Sequence, residues 1–187
     1  MKRTDVRVRT GREILGADLD DLQADTVIVA TGAEPSVPDI DGLDSADVIR
    51  AVDVLSDPAG VTGRVVIIGG GHVGCETADV CVRMGARVTI LEMDRVLPDA
   101  DPITRTELLD RLTASGVEIL EGVRVAAVEA GRVALTDGEG ASRWMDADRV
   151  VVAAGARARN DLLDALRERQ VPHVAVGDCT GPGDLYQ

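Results

Sequence analysis

A glycine-rich turn followed at a distance by an acidic residue is the pattern most able to do chemistry. Gly69, Gly71 and Gly74 are spaced as GxGxxG, and Glu92 follows at about the twenty-residue separation typical of a dinucleotide fingerprint. Backbone N–H groups at the start of a helix lack partners within the helix and carry the positive end of its dipole, so they bind phosphate groups. A carboxylate at this distance accepts hydrogen bonds from the hydroxyls of an adenosine ribose. The pattern therefore predicts a dinucleotide-binding site.

Each glycine has a separate predicted role. Gly69 permits the tight turn, Gly71 lets a pyrophosphate approach the backbone, and Gly74 lets the helix pack closely against the sheet. The alternative is a turn whose glycines serve packing only. A carboxylate beside the ribose repels a 2′-phosphate, so Glu92 favours NAD(H) over NADP(H), with the nearby Arg95 acting in the opposite direction.

The elements around the turn are those that such a site requires. Residues 65–68 are an unbroken β-branched run, which is typical of a parallel strand buried on both faces. Residues 87–91 form a second apolar run. Between them lies an apolar stripe at helical spacing, made of Val73, Thr77, Val80, Cys81 and Met84. The order strand, glycine turn, helix, strand predicts a Rossmann-like parallel sheet of the α/β class.

Further along the chain the hydrophobic period changes from helical to alternating. Residues 123–128, 132–135 and 141–145 predict a three-stranded antiparallel meander. The run 147–156 then matches the run 24–33 at seven of ten positions. This repeat predicts two related nucleotide-binding halves, and chance repetition of a Val-rich strand is the alternative.

Composition excludes several other classes of function. The 187 residues carry a net charge of −13, which opposes binding to nucleic acid or to anionic membranes. No apolar window reaches twenty residues and no signal peptide is evident, so a cytoplasmic protein is expected. The three cysteines form no CxxC pair and are expected to be reduced core residues, and with only two histidines no metal site is expected.

Three stretches carry a likeness to a known family: IIGGGHVGCETA (67–78), EMDRVLPDADPITR (92–105) and VGDCTGPGDLYQ (176–187). With the two glycine turns of the repeat, they resemble the pyridine nucleotide–disulfide oxidoreductase superfamily. They are most similar to the C-terminal part of the 2,4-dienoyl-CoA reductase, trimethylamine dehydrogenase and NADH:flavin oxidoreductase group.

This resemblance implies a domain organisation and a set of site residues. An NAD(H)-binding domain (64–154) is inserted between two pieces (1–35 and 155–187) of an incomplete flavin- or ADP-binding domain, with 36–63 as a linker. The implied NAD(H) contacts are Gly69, Gly70, Gly71, His72, Val73, Gly74, Glu76, Glu92, Met93, Ala154 and Gly155. The implied flavin-side contacts are Ala30, Thr31, Gly32, Gly177 and Asp178. Ala154 stands where the family turn has threonine.

Three functions remain open on this resemblance. The first is the NAD(H)-binding part of a flavin-dependent oxidoreductase, which positions NADH for hydride transfer to flavin. The second is a non-catalytic module that holds ADP or NAD structurally, and the third is an inactive truncated fragment. No catalytic residue is assigned, because Glu76 is better explained as a solvated first-turn acid or as an indirect contact near the nicotinamide than as a general base. FAD or ADP binding is expected only with a missing N-terminal flavin-domain portion, and an FMN-carrying barrel domain is a further expected partner.

Overall fold

The structure, a computed structural model, describes residues 5–45 and 47–182. Its strands are β1 (Val27–Val29), β2 (Ala33–Pro35), β3 (Val48–Arg50), β4 (Arg64–Ile68), β5 (Arg87–Leu91), β6 (Glu118–Leu120), β7 (Arg124–Glu129), β8 (Arg132–Thr136), β9 (Ser142–Asp146), β10 (Arg149–Val152), β11 (Ala156–Ala158) and β12 (His173–Ala175). Its α-helices are α1 (Ala51–Ser56), α2 (His72–Arg83), α3 (Pro102–Ala114) and α4 (Asp161–Glu168). None of the helices in these described ranges combines the length and the apolar composition that a membrane-spanning segment needs.

The described residues divide into two compact units, one made of 35–156 and the other of 5–34 with 157–182. The larger unit is built on a five-stranded sheet with the order β3-β10-β4-β5-β6, and each neighbouring pair in it is parallel. Ile67, Ile90 and Val151 are fully buried in this sheet. The parallel sheet predicted from the β-branched run is confirmed.

The two faces of the sheet carry different layers. On one face, strand residues share a hydrophobic cluster with α1, α2 and α3. On the other face, Val66, Ile68 and Leu91 pack with residues of the antiparallel meander β7-β8-β9, of which Val133 and Leu135 are the most deeply buried. The predicted meander is confirmed.

Two features of this unit differ from the sequence predictions. The buried side of α2 is formed by Gly74, Cys75, Thr77, Ala78 and Cys81, whereas Val73 and Met84 are 43% and 44% exposed. The reason is that the helix presents its small residues to the sheet, which lets the two backbones approach closely. The predicted linker 36–63 instead supplies β3 and α1, whose Ala51 and Val54 lie in the core.

The smaller unit joins two stretches that are far apart in sequence. β1 and β12 pair in parallel with Val29 opposite Ala175. Val29, Leu163 and Leu166 form its buried centre with Leu19 and Cys179. The segment before β1 packs tightly on α4. A Cβ built at Gly16 in this segment would lie only 2.9 Å from the Cβ of Ala165 in α4. β2 and β11 are hydrogen-bonded neighbours.

Candidate dinucleotide-binding site

The larger unit contains a cavity of about 680 Å³ at the carboxyl ends of β4, β5 and β10. This edge is where parallel α/β sheets bind their ligands, because the loops that follow the strands diverge there and leave a crevice. The walls are Pro38, Asp39, Ile40, Ile68, Gly69, Gly71, His72, Val73, Leu91, Glu92, Met93, Asp94, Arg95, Pro98, Arg124, Val125, Ala153, Ala154 and Gly155.

The glycine turn between β4 and α2, together with the first turn of α2, requires glycine at three positions, each for a different steric reason. A Cβ at Gly69, whose φ is +108°, would lie 2.4 Å from the carbonyl oxygen of Ala153. A Cβ at Gly74 would lie 2.0 Å from the carbonyl oxygen of Gly69. A Cβ at Gly70 would lie 2.6 Å from a methyl group of Val96. These glycines are therefore required by contacts within the protein.

Gly71 is different, because no atom of the described residues would lie within 4 Å of a Cβ added to it, and its φ of −72° suits any residue. It caps the N-terminus of α2 and lines the cavity. The space beside it is open, and the first-turn N–H groups of α2 carry the positive end of that helix's dipole. This is a cradle that an added side chain would fill, and it fits a pyrophosphate.

Glu92 follows β5 directly and forms part of the cavity wall. One carboxylate oxygen accepts a hydrogen bond of 2.7 Å from the backbone N–H of Gly70, and the other accepts one of 2.9 Å from the backbone N–H of Asp94. These two bonds fix the orientation of the carboxylate at the cavity edge. Each oxygen keeps a further lone pair with which to accept from a ligand hydroxyl.

Charges of both signs lie in the cavity wall. Asp39, Glu92 and Asp94 are acidic, and Arg95 and Arg124 are basic. The remaining walls are largely apolar, and they include Ile68, Leu91 and Val125. A mixed wall of this kind suits a ligand that combines a flat apolar ring with anionic and hydroxyl groups.

Cys75 lies beneath the glycine turn and is inert. It is fully buried, and its Sγ lies 3.6 Å from the carbonyl oxygen of Gly70, to which it donates. Burial, with smaller contributions from Glu76 and Glu92, raises the pKa of the Cys75 thiol to about 11. Because the thiolate is the reactive form, this cysteine is neither a nucleophile nor a redox group at neutral pH.

The cavity brings together eight of the residues assigned from sequence: Gly69, Gly71, His72, Val73, Glu92, Met93, Ala154 and Gly155. Gly70 and Gly74 lie behind them as packing positions, and Glu76 is exposed on α2 outside the wall. Ile68, Leu91 and Arg95 also line the cavity, although the sequence analysis did not assign them to the site. It missed a further group of wall residues: Pro38, Asp39, Ile40, Asp94, Pro98, Arg124, Val125 and Ala153. Proximity to the ends of β5 and β10 could have identified Asp94 and Ala153, whereas the others depend on tertiary packing.

The residues assigned to the flavin side lie in the smaller unit. Because β1 and β12 are parallel, the turn with Ala30, Thr31 and Gly32 and the turn with Gly177 and Asp178 emerge at the same edge. Thr31 donates its hydroxyl hydrogen to the carbonyl oxygen of Arg159 at 2.8 Å. This hydrogen bond ties the turn after β1 to the segment between β11 and α4.

Comparison with known proteins leads to the same architecture. The sequence profile of the family described as pyridine nucleotide-disulphide oxidoreductase matches residues 1–181. A bilirubin reductase of Mediterraneibacter gnavus is 36% identical over 183 residues, which is 96% of this chain and 28% of that protein. An NADH oxidase of Thermoanaerobacter brockii is 34% identical over 191 residues, which is 99% of this chain and 29% of that protein. The chain thus spans under a third of each relative.

Solved structures give a matching result. A 2-naphthoyl-CoA reductase in complex with 2-naphthoyl-CoA superposes with a TM-score of 0.82 at 27% identity, covering 93% of this chain and 27% of that one. A histamine dehydrogenase from Rhizobium sp. 4-9 superposes with a TM-score of 0.81 over 98% of this chain and 32% of that one, and at 20% identity it supports the fold alone.

Proposed function

The chain belongs to the pyridine nucleotide-disulphide oxidoreductase family, and we propose that it is the NAD(H)-binding part of a flavin-dependent oxidoreductase. The observation that carries this proposal is the cavity in which the open backbone at Gly71, the N-terminus of α2 and the fixed carboxylate of Glu92 face the same space. We place the chain with the NADH:flavin oxidoreductase group of that family. The likeness to an NADH oxidase and to a 2-naphthoyl-CoA reductase supports this placement.

Different residues of the cavity contact different parts of NADH. The N–H groups at the start of α2 bind the pyrophosphate beside Gly71, and Glu92 accepts hydrogen bonds from the adenosine ribose. When bound, the nicotinamide supplies a hydride for transfer to flavin. Leu91 and Val125 give the cavity apolar walls, and the chain itself contributes position rather than a general acid or base.

The cavity favours NADH over NADPH. A 2′-phosphate on the ribose would place a second anion beside the carboxylate of Glu92, which is held in place by the backbone N–H groups of Gly70 and Asp94. Such a contact costs on the order of 2 kcal/mol, or roughly thirtyfold in affinity. Arg95 lies in the same wall and reduces this cost by pairing with the phosphate.

The smaller unit is proposed to serve the flavin side. Ala30–Gly32 and Gly177–Asp178 lie at one strand edge, which suits contact with a flavin or ADP once an N-terminal flavin-domain portion is supplied. Ile28 and Val174 are opposite each other in the two strands and are 69% and 52% exposed, so this sheet has an apolar face available for that portion. An FMN-carrying barrel is proposed as a further partner, supported by the greater length of the relatives.

The test is a set of dissociation constants for NADH, NADPH and ADP, measured by calorimetry. We expect NADH to bind more tightly than NADPH, by up to roughly thirtyfold. ADP is expected to bind more weakly than NADH, whereas equal binding of the two would indicate a structural nucleotide site without turnover. Failure of the chain to bind NADH would refute the proposal.

A substitution at Glu92 tests the selectivity. Because Glu92 also accepts from two backbone N–H groups, Glu92→Ser weakens binding of both cofactors, and the informative quantity is the ratio of the two affinities. We expect that ratio to narrow towards one. Asp99→Ser is the matched control, since Asp99 is an exposed acid in the following loop that does not line the cavity. Equal affinities for the two cofactors in the wild type would show that Glu92 does not face the ribose.

A further inference from the structure

The loop after β5 contributes four residues to the cavity wall, namely Met93, Asp94, Arg95 and Pro98. Between them, Val96 and Leu97 point inward and are fully buried. Leu97 has a φ of +52°, a left-handed conformation that a leucine adopts only when its surroundings hold it there. The shape of this cavity wall is therefore imposed by contacts from outside the loop.

Those contacts come from two side chains that do not line the cavity. The carboxylate of Glu121, which follows β6, accepts a hydrogen bond of 2.7 Å from the backbone N–H of Val96. Arg105, on α3, donates from Nε to the carbonyl oxygen of Val96 at 2.9 Å. Arg105 also donates from Nη2 to the same Glu121 oxygen at 3.1 Å. Both backbone polar groups of Val96 are thus satisfied by one ion pair.

The same loop is locked to the glycine turn. The backbone N–H of Leu97 donates to the carbonyl oxygen of Gly70 at 2.8 Å, and the space that a side chain at Gly70 would need is taken by Val96. Glu92 is tied to the N–H of Gly70 as well. A shift of Val96 would therefore move the turn that cradles the pyrophosphate and the carboxylate that selects the ribose.

We propose that Arg105 and Glu121 are positioning residues of the dinucleotide site, which set the affinity for the cofactor and its selectivity by fixing the loop 93–98 against Gly70. This inference rests on the proposed function, since it concerns the same site. The Arg105 side chain is 20% exposed and the Glu121 side chain 43%, so water screens their charges in part, and the hold on the loop depends on the two hydrogen bonds to the backbone of Val96. Its role is mediated wholly through the backbone of Val96.

The first experiment measures hydrogen exchange at the amides of Val96 and Leu97 without any ligand. Arg105→Ala and Glu121→Ala are expected to speed exchange at both amides. Glu121→Gln keeps an acceptor oxygen and is expected to retain protection. Arg111→Ala is the matched control, because Arg111 lies on the same helix, is exposed, and pairs with Asp79 at 3.7 Å. Unchanged exchange in Arg105→Ala would overturn the proposal.

The second experiment measures NADH and NADPH dissociation constants in the same chains. Arg105→Ala is expected to weaken NADH binding about tenfold, equivalent to about 1.4 kcal/mol, and to narrow the NADH preference. Glu121→Gln and Arg111→Ala are expected to stay within about twofold of wild type. A merely structural role would weaken both cofactors equally, so an unchanged NADH/NADPH ratio would overturn the proposal.

The outcomes separate this inference from the proposed function. If the wild type binds NADH and Arg105→Ala binds it equally well, the positioning role fails and the proposed function stands. If the wild type binds no NADH, both the proposed function and the positioning role are refuted. If Arg105→Ala does not fold, Arg105→Lys decides, because a lysine ends in a single nitrogen and cannot place two separate donor nitrogens against the carbonyl oxygen of Val96 and the carboxylate of Glu121. Wild-type affinity and selectivity in that variant would overturn the proposal.

Discussion

Substitutions at Gly71 and Gly74 should separate ligand binding from folding, although the two glycines lie three residues apart in one motif. At Gly71 the backbone is compatible with any residue, and no atom in the described part of the chain lies within 4 Å of an added Cβ. Gly71→Val should therefore leave the fold intact. In Gly71→Ala, the gain of about 0.4–1 kcal/mol from a less flexible unfolded chain is opposed by the lower preference for alanine than for glycine at a helix N-cap, so the free energy of unfolding should change little. Binding should suffer, because the new side chain occupies the space of the pyrophosphate.

The size of the two effects follows from the distances. Gly74→Ala brings a Cβ to within 2.0 Å of a backbone carbonyl oxygen, which must move. Overpacking of this kind costs about 3 kcal/mol, which lowers the melting temperature by roughly 6–12 °C in a chain of this size. For Gly71→Val, a loss of NADH affinity of about a hundredfold or more corresponds to about 2.7 kcal/mol.

Calorimetric titration with NADH and thermal melting monitored by circular dichroism measure the two quantities in parallel. We expect Gly71→Val to melt near the wild-type temperature without binding NADH, and Gly74→Ala to melt early while its folded fraction still binds. A folded Gly71→Val variant with unchanged NADH affinity would refute the assignment of this turn to the pyrophosphate.

Three further predictions concern stability. Hydrogen bonds from Arg64 lower the pKa of Asp148 to about 2, so the stabilising contribution of the Asp148 carboxylate is present above pH 4 and lost as the pH falls towards 2. In urea titrations, Asp148→Asn should be less stable than wild type at pH 7, and the difference between the two should shrink below pH 4. Burial raises the pKa of Cys75 from 9.0 to about 11, so the free energy of unfolding is unaffected below pH 9 and falls by up to about 3 kcal/mol as the pH rises through 11. Urea titrations of Cys75→Ala should lack this fall above pH 9. Gly42→Ala should lower the melting temperature more than Gly60→Ala. Both glycines have a similar positive φ, but an added Cβ would lie 1.9 Å from a carbonyl oxygen of β7 at Gly42 and in open space at Gly60. Equal falls in melting temperature would contradict the close contact between Gly42 and β7.

The sequence allowed the central sheet, α2 and the meander to be predicted because each has a local periodic pattern bounded by glycine turns. Glu92 was also accessible, since its distance from the turn is part of the pattern. The predicted apolar stripe was wrong at Val73 and Met84, because the helix packs against the sheet through its small residues and the sequence of the helix alone does not show which side faces the sheet. The need for glycine at position 70 arises from Val96, and the wall at Pro38–Ile40 arises from packing against β7, so neither has a local signal.

The pairing of β1 with β12 has a consequence for the order in which the chain can fold. The whole larger unit lies between these strands in sequence, so during synthesis the smaller unit can be completed only after the larger one has been made. Closing so long a loop in an unfolded chain is slow, because the entropy is lost before the contacts form. Once residues 35–156 have folded, however, the N–H of Ser36 is bonded to the carbonyl oxygen of Gly155 at 2.9 Å, which holds the two ends of that unit together. Folding of the larger unit thus shortens the effective loop between β1 and β12, so their pairing no longer requires closure of a long unfolded loop.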